Sequence, residues 1–508
     1  MFYQLNKGDS YDPSGDILKS WLLPYRLNLT NLTLEDTGEA TITILTDLCY
    51  QFGNLQNVNL SNFNTSNVTE CYRMFEQCNN LTNVTGLNFP NCNNFRAIFS
   101  TCNKLTNFPI KPENFKDDTI YRWSYGKCIN ITEDVYNINV SNCDFTNTFC
   151  NTNKITNIYN VTVNNCTLSG MFFVSKGIRH INNMTVNNCI CTNLFKQCSN
   201  LTNINGFTLS NISGPTNTIF AGCNKINTVS NLTIDNCSNL YRFFMDTNNS
   251  LTDIIDINII NSNTTGVFER HKNITNISNM NIINTNNIRS LFISCNKLMN
   301  INNLHIDGED INCSAMFSDC TNLSIISNFN INGVFSMASA FYRCYSLTSI
   351  SSFNISNVTD TSRMFWGCEK LTSIPNFDTS ETKNMSFMFF DCYNLVSVPN
   401  FDTGNVINMA DMFYDCYNLV DIPIFDTNKV INMADMFYGC YNLSAESYAN
   451  IANSLPLASN LTNQFLSNIG LNVNVFTDEQ FNILGAKGYY DADLDTANWS
   501  TIYNLYYE

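Results

Sequence analysis

The chain has 508 residues, of which 13% are charged, and a formal net charge of −16. An acidic surface whose remaining polarity comes from Asn, Thr and Ser repels phosphate backbones, which excludes nucleic acid as a partner. No apolar run reaches the roughly 18 residues that a membrane-spanning helix needs, so membrane insertion is not expected either.

The opening "MFYQLNKGDSYDPSGD" has no basic segment followed by an apolar stretch, so it does not read as a secretory signal. "SGDILKSWLLPY" reads as a short helix stopped by Pro24, and "GEATITIL" alternates as a strand. Residues 1–45 are therefore expected to form an N-terminal cap over the apolar end of the next segment.

From residue 46 the chain is a repeat. A register mark three residues after a Phe, or after Tyr125 in one coil, recurs at Cys78, Cys102, Cys128, Thr152, Ser175, Cys198, Cys223, Thr247, His271, Cys295, Cys320, Cys344, Cys368, Cys392, Cys416 and Cys440, with Phe52 in a degenerate first copy. The steps are 23 to 26 residues, and uniformly 24 from Cys320 onward. Such a period marks a solenoid, here of about 17 coils over residues 46–443. Within one coil Val406, Met409, Met412, Phe413 and Cys416 share the face of a short helix or 3₁₀ helix, with Asp402 and Thr403 as its capping signal. Leu419, Ile422 and Phe425 then surround a short extended segment containing Pro423. No coil buries its apolar face alone; stacked neighbours make one core.

Of the 22 cysteines, twelve occupy the register mark, and six more (Cys92, Cys143, Cys166, Cys189, Cys237, Cys313) precede a Phe at repeat-related positions. Parallel side chains on strands about 4.8 Å apart stand farther apart than a disulfide wants, so these read as small buried thiols. No pair of C-x-x-C elements is present, and neither metal nor cofactor is expected.

Beyond residue 443 the repeat stops. "SAESYANIANSLP" reads as a helix with Tyr448, Ile451, Ala452 and Leu455 on one face. "FTDEQFNILGAKGYY" reads as a second, with Thr477 and Gln480 spaced as a capping box and Gly488 as its stop. Residues 444–508 are read as a C-terminal cap.

The motif "NVTDTSRMFWGCEKLTSIPNFDTS", residues 357–380, resembles the leucine-rich repeats of the bacterial surface-protein-A (BspA-like) type. The likeness is strongest over residues 335–443 and decays between 115 and 290, where Met is lost from the Met-Phe pair and Thr or Ser replaces Cys. The terminal unit, with its "TDEQ" and "AKG" motifs, is similar to those that come after such repeats in Gram-positive bacteria and their phages. The resemblance implies an α/β solenoid: a right-handed leucine-rich repeat superhelix, with a parallel β-sheet on one face and short helices or 3₁₀ turns on the other. It also implies use in adhesion to a cell-surface protein or glycan.

The repeat aligns surface residues too. One column reads Tyr342, Trp366, Phe390, Tyr414 and Tyr438; a second reads Tyr345, Glu369, Tyr393, Tyr417 and Tyr441, with Asp391 and Asp415 beside them. Tyr and Trp offer stiff contact area, and neighbouring carboxylates accept hydrogen bonds, so these are the candidate ligand-binding residues. The same columns would also serve to stack on one another and seal the core edge. A further column of Asp378, Asp402 and Asp426 opens the next segment.

Catalysis by a polysaccharide-degrading solenoid needs an isolated carboxylate pair; here the acids recur with the repeat, and His180, His271 and His305 lie far apart in sequence. "DADLD", residues 491–495, lacks the turn Gly and terminal Glu of a calcium loop. The sequence thus points to a non-enzymatic host- or cell-surface-binding protein. The absence of a signal suggests a virion- or tail-associated location, with an extracellular or cell-surface one as the other choice. A structural or decorating subunit that docks on other virion subunits is the alternative.

Overall fold

A computed structural model describes residues 2–5, 16–36, 42–216, 218–238, 240, 243, 244 and 250–454. The expected second terminal helix and the "DADLD" segment lie outside the described residues. The chain divides into two units, residues 1–251 and 252–508.

In the first unit, β1 (Phe2–Leu5), β2 (Asn31–Asp36), β3 (Asn57–Asn62) and β4 (Asn83–Thr85) form a parallel sheet in chain order. Between β1 and β2 lies α1 (Asp16–Leu22), followed by a 3₁₀ turn at Leu23–Tyr25, where the sequence places a helix stopped by Pro24. The "GEATITIL" strand does not form over its described residues, which contribute only a single bridge from Ile44 to Glu70. Next, β5 (Val135–Ser141), β6 (Asn157–Asn164), β7 (His180–Asn187), β8 (Asn203–Ser210) and β9 (Thr228–Asp235) pair in parallel, one strand per coil.

In the second unit β10 (Asp253–Ile260), β11 (Asn276–Ile283), β12 (Asn300–Asp307) and β14 (Ile325–Ile331) continue the pattern. A short side ladder joins β13 (Ile311–Asn312) to β15 (Val334–Ser336). Later coils carry single bridges, Ser336 to Asp360, Asn384, Asn408 and Asn432 in turn, until α2 (Ala445–Ser454), the expected first terminal helix, with Ile451 buried.

The protein is therefore a β-solenoid with parallel sheets and few helices. Among the described residues twelve turns after β1 bear a strand, fewer than the roughly 17 coils counted from the repeat. The strands form because each alternates: in β6, Ile158, Val161 and Val163 are buried while Thr162 and Asn164 face out. One extra residue, Asn160, sits at φ 54° outside the pairing, which a small polar side chain tolerates.

The other side of the coil departs from expectation. The Met-Phe segment is neither α nor 3₁₀ helix but a zigzag of tight turns. Amides of Met385, Phe387, Phe389 and Asp391 donate to Asn408, Ala410, Met412 and Tyr414 of the next coil, while Met388, Phe390 and Cys392 donate three residues back. Phe387 and Asp391 lie at φ 58° and 59°, in the left-handed region, and that breaks any helix. Apolar spacing of three and four residues fits both shapes, and the positive-φ residues choose the turn. Asp402 accordingly caps a turn, accepting from the Gly404 amide at 3.0 Å, while Thr403 donates to Asp426 of the next coil at 2.9 Å.

Two columns fill the core. Phe rings stack nearly parallel from coil to coil, as at Phe149–Phe172 (5.4 Å) in the first unit and Phe365–Phe389 (5.7 Å) in the second. The register-mark thiols donate backward to the Phe carbonyl of the preceding coil: Cys392 to Phe365 and Cys416 to Phe389, both at 3.1 Å, with Ser175 doing the same to Phe149 at 2.7 Å. The slot thus selects a small donor, not merely a small side chain. All 22 cysteines are free and buried. Burial pushes the thiols of Cys78, Cys128 and Cys295 up to about 12, so they keep the proton they donate.

Candidate functional site

The expected aromatic columns assemble in the second unit, and their geometry is specific. Phe390 and Tyr414 stack at 4.5 Å and 4°, Tyr414 and Tyr438 at 4.6 Å and 20°, while Trp366 meets Phe390 at 4.4 Å. Tyr342 approaches Trp366 edge-on at 5.4 Å. In the second column Tyr393, Tyr417 and Tyr441 stack at 5.2 and 5.9 Å. Glu369 interrupts that column, which leaves Tyr345 off the stack.

The ring faces are consumed by one another. The first column is half-buried and the second progressively exposed, 39% at Tyr417 and 63% at Tyr441. Stacking of a sugar on an inner ring face is blocked by the neighbouring ring.

The carboxylates belong to the turn architecture and to the face together. Asp391 and Asp415 stand at left-handed positions, φ 59° and 56°, where Gly367 and Gly439 stand in neighbouring coils. Their side chains hydrogen-bond Tyr393 and Tyr417. Burial first, and then the Asp391 charge, push the Tyr393 phenol up to about 12; Tyr414 rises to about 12 by burial and the Asp415 charge.

Sequence reasoning missed a second left-handed column, Arg363, Phe387, Asp411 and Asp435. Burial, then the Asp435 carboxylate, raise Asp411 to about 6. At the other end the Arg363 guanidinium lies 4.8 Å from the Phe387 ring centroid, and Phe387 itself stacks on Trp366 at 5.2 Å. The ribbon therefore runs from cationic at Arg343 and Arg363 to acidic at Asp411, Asp415 and Asp435. The recurrence of Ser339, Arg363, Asp411 and Asp435 two residues before the motif Phe of their coils was the available signal.

His271 fills a register mark and is fully buried, its Nδ1 within 3.2 Å of the Glu269 carbonyl. Among the described residues no helix is long and apolar enough to cross a membrane.

Among solved structures the chain is similar to a leucine-rich repeat protein from Bacteroides ovatus (16% identity over 82% of this chain and 86% of that one, TM-score 0.30). It is also similar to a leucine-rich cell surface protein from Faecalibacterium prausnitzii (15%, 75% and 81%, TM-score 0.24) and a leucine-rich repeat protein from Eubacterium ventriosum (14%, 56% and 83%, TM-score 0.23). No curated protein matches it. The virion location expected from the sequence finds no support in the fold or in these likenesses. The sequence profile of one family matches residues 30–135, 189–306, 309–396 and 369–463, most of the chain, which therefore belongs to the DUF285 family, described as Mycoplasma protein of unknown function.

Proposed function

We propose that the chain is a non-enzymatic binding solenoid of the bacterial leucine-rich repeat type, which engages a cell-surface protein through the aromatic and acidic ribbon of its C-terminal coils. The observation that carries this reading is the continuous Phe390–Tyr414–Tyr438 stack flanked by Asp411, Asp415 and Asp435. Rigid tyrosines with carboxylates alongside suit a cationic protein surface, whose Lys and Arg groups meet both charge and ring. The blocked ring faces favour a protein over a glycan at this ribbon.

A structural subunit is the second reading, and the same stack favours it, since rings that satisfy one another also seal the core edge. Labelled protein titrated onto intact bacterial and animal cells separates the two. The adhesive reading expects saturable binding that falls at least about tenfold in a Tyr417→Ser/Tyr441→Ser/Asp415→Asn variant whose thermal unfolding is unchanged. Failure of the wild type to bind any cell leaves the structural reading.

A further inference from the structure

The first unit carries a polar groove that the aromatic ribbon does not involve. In β5 to β8 the residue left out of the pairing is Asn137, Asn160, Asn183 and then Gly206, at φ 52°, 54°, 54° and 68°. The amides form a ladder, Asn160 donating to Asn137 at 3.3 Å and Asn183 to Asn160 at 3.4 Å. At the fourth coil the ladder stops because Gly206 has no side chain; a Cβ there would stand 2.6 Å from Asn183 Oδ1.

The missing rung lies in a shallow groove of about 630 Å³. Thr162, Thr185 and Thr208, in register on adjacent strands, line it together with the three ladder asparagines. Its lining holds no Asp, Glu, Lys or Arg. One residue before Asn137 and Asn160, Tyr136 and Tyr159 stack at 5.3 Å and 8°, and the Tyr136 hydroxyl meets Glu113. Groove residues 137–185 also fall in the interval between residues 135 and 189 that the family profile leaves unmatched.

We propose that this groove is a binding site for a neutral oligosaccharide. Amides and hydroxyls both donate and accept, as sugar hydroxyls do, so each partner satisfies the other on desolvation. A charged glycan would lose its hydration here with no counter-charge in the lining. A peptide strand would add at the free edge of β5, whereas most of the groove lies on the face of β6, β7 and β8, which are paired on both sides. With coils about 4.8 Å apart, the three steps from Asn137 to Gly206 span about 14 Å, the reach of a short oligosaccharide.

The test is calorimetric titration of the full chain with neutral maltoheptaose, cellohexaose, mannohexaose and chitohexaose, beside acidic hyaluronan and basic chitosan oligomers. Gly206→Asn places in the groove the residue that neighbouring coils carry at this backbone conformation; its Cβ requires the Asn183 amide to turn aside, so its unfolding temperature is compared with that of wild type. Thr185→Val removes one hydroxyl and keeps the β-branched shape. The expected result is binding of at least one neutral probe, weakened about tenfold or more by each variant at unchanged unfolding temperature. The Tyr417→Ser/Tyr441→Ser/Asp415→Asn variant should bind the sugar as wild type does, so failure here and failure of the adhesive ribbon are separate results. No binding of any neutral probe, a preference for the charged oligomers, or full binding by Gly206→Asn would overturn the proposal.

Discussion

Residues 135–331 and 335–443 repeat at nearly the same period, yet they hold their coils together differently. The earlier stretch carries strands of seven or eight residues. The later one, where the Met-Phe-Cys motif is most regular, joins its coils by single bridges. The difference traces to one position. Seven residues after the register mark, where Tyr159 pairs with Asn182, the later coils place Pro375, Pro399 and Pro423. Proline has no amide to give a ladder, so no strand propagates there. Pro109, seven after Cys102, leaves its coil without a strand in the same way. Ser351 is not a proline, and its coil has the proline-free β14 coil on one side and the Pro375 coil on the other, so proline accounts for the coils after it and not for this one. Coils denied a ladder keep the coil-to-coil backbone bonds of the zigzag turns and the side-chain columns, and both are built by the regular motif.

If the Phe stack is common to both regions, its loss should cost the most in each. Phe172→Ala and Phe389→Ala should each destabilise the surrounding coils by about 3–5 kcal/mol, read by urea unfolding. A much smaller loss at Phe172 would mean that the strands carry the earlier coils without the stack.

The donor slot sharpens the comparison next. Cys392→Ser should stay close to wild type, because the hydroxyl still reaches the Phe365 carbonyl; Cys392→Val leaves that carbonyl with only the Cys368 amide as donor and should cost about 0.5–1.5 kcal/mol. Ser175→Cys in the earlier region should be mild. Equal effects of Ser and Val at Cys392 would reduce the slot to size alone.

Left-handed positions should be costly in both regions and of similar size. Asn183→Val and Asp391→Val, at φ 54° and 59°, should each lose about 1–2 kcal/mol, while glycine at either site should be nearly neutral.

The smallest effect separates the regions by charge. Asp411 holds its proton up to about 6 when folded, against an ordinary value of 3.8, so the folded state binds the proton more tightly than the unfolded one. Stability should therefore fall as pH rises from about 4 to about 6, by an amount that solvent screening keeps small. Asp411→Asn should flatten that interval in a melting-temperature series, and an unchanged slope would remove Asp411 as its source.

The period, the core columns and the free thiols were all legible in the sequence, because each coil must offer its neighbour the same shape. The turns were not, since apolar residues at Met409, Met412 and Phe413 satisfy a helix as readily as a zigzag; Asp411 between them was the sign that went unread. The short strand expected in each coil is found in β6, where Val161-Thr162-Val163 alternates plainly. At the candidate face the aromatic columns were visible, but ring orientation depends on coil-to-coil stacking that no single coil displays. The groove at Gly206 appears only once four coils are placed in register.

The measurement that bears most directly on this account is residue-resolved hydrogen exchange over residues 385–416. Coil-to-coil bonding of Met385, Phe387, Phe389 and Asp391 predicts that these amides exchange slowly, and that Phe387→Ala/Phe389→Ala exposes the matching amides of the adjoining coils. Slow exchange that runs through this segment as one helical block and stays indifferent to the neighbouring coil would contradict it.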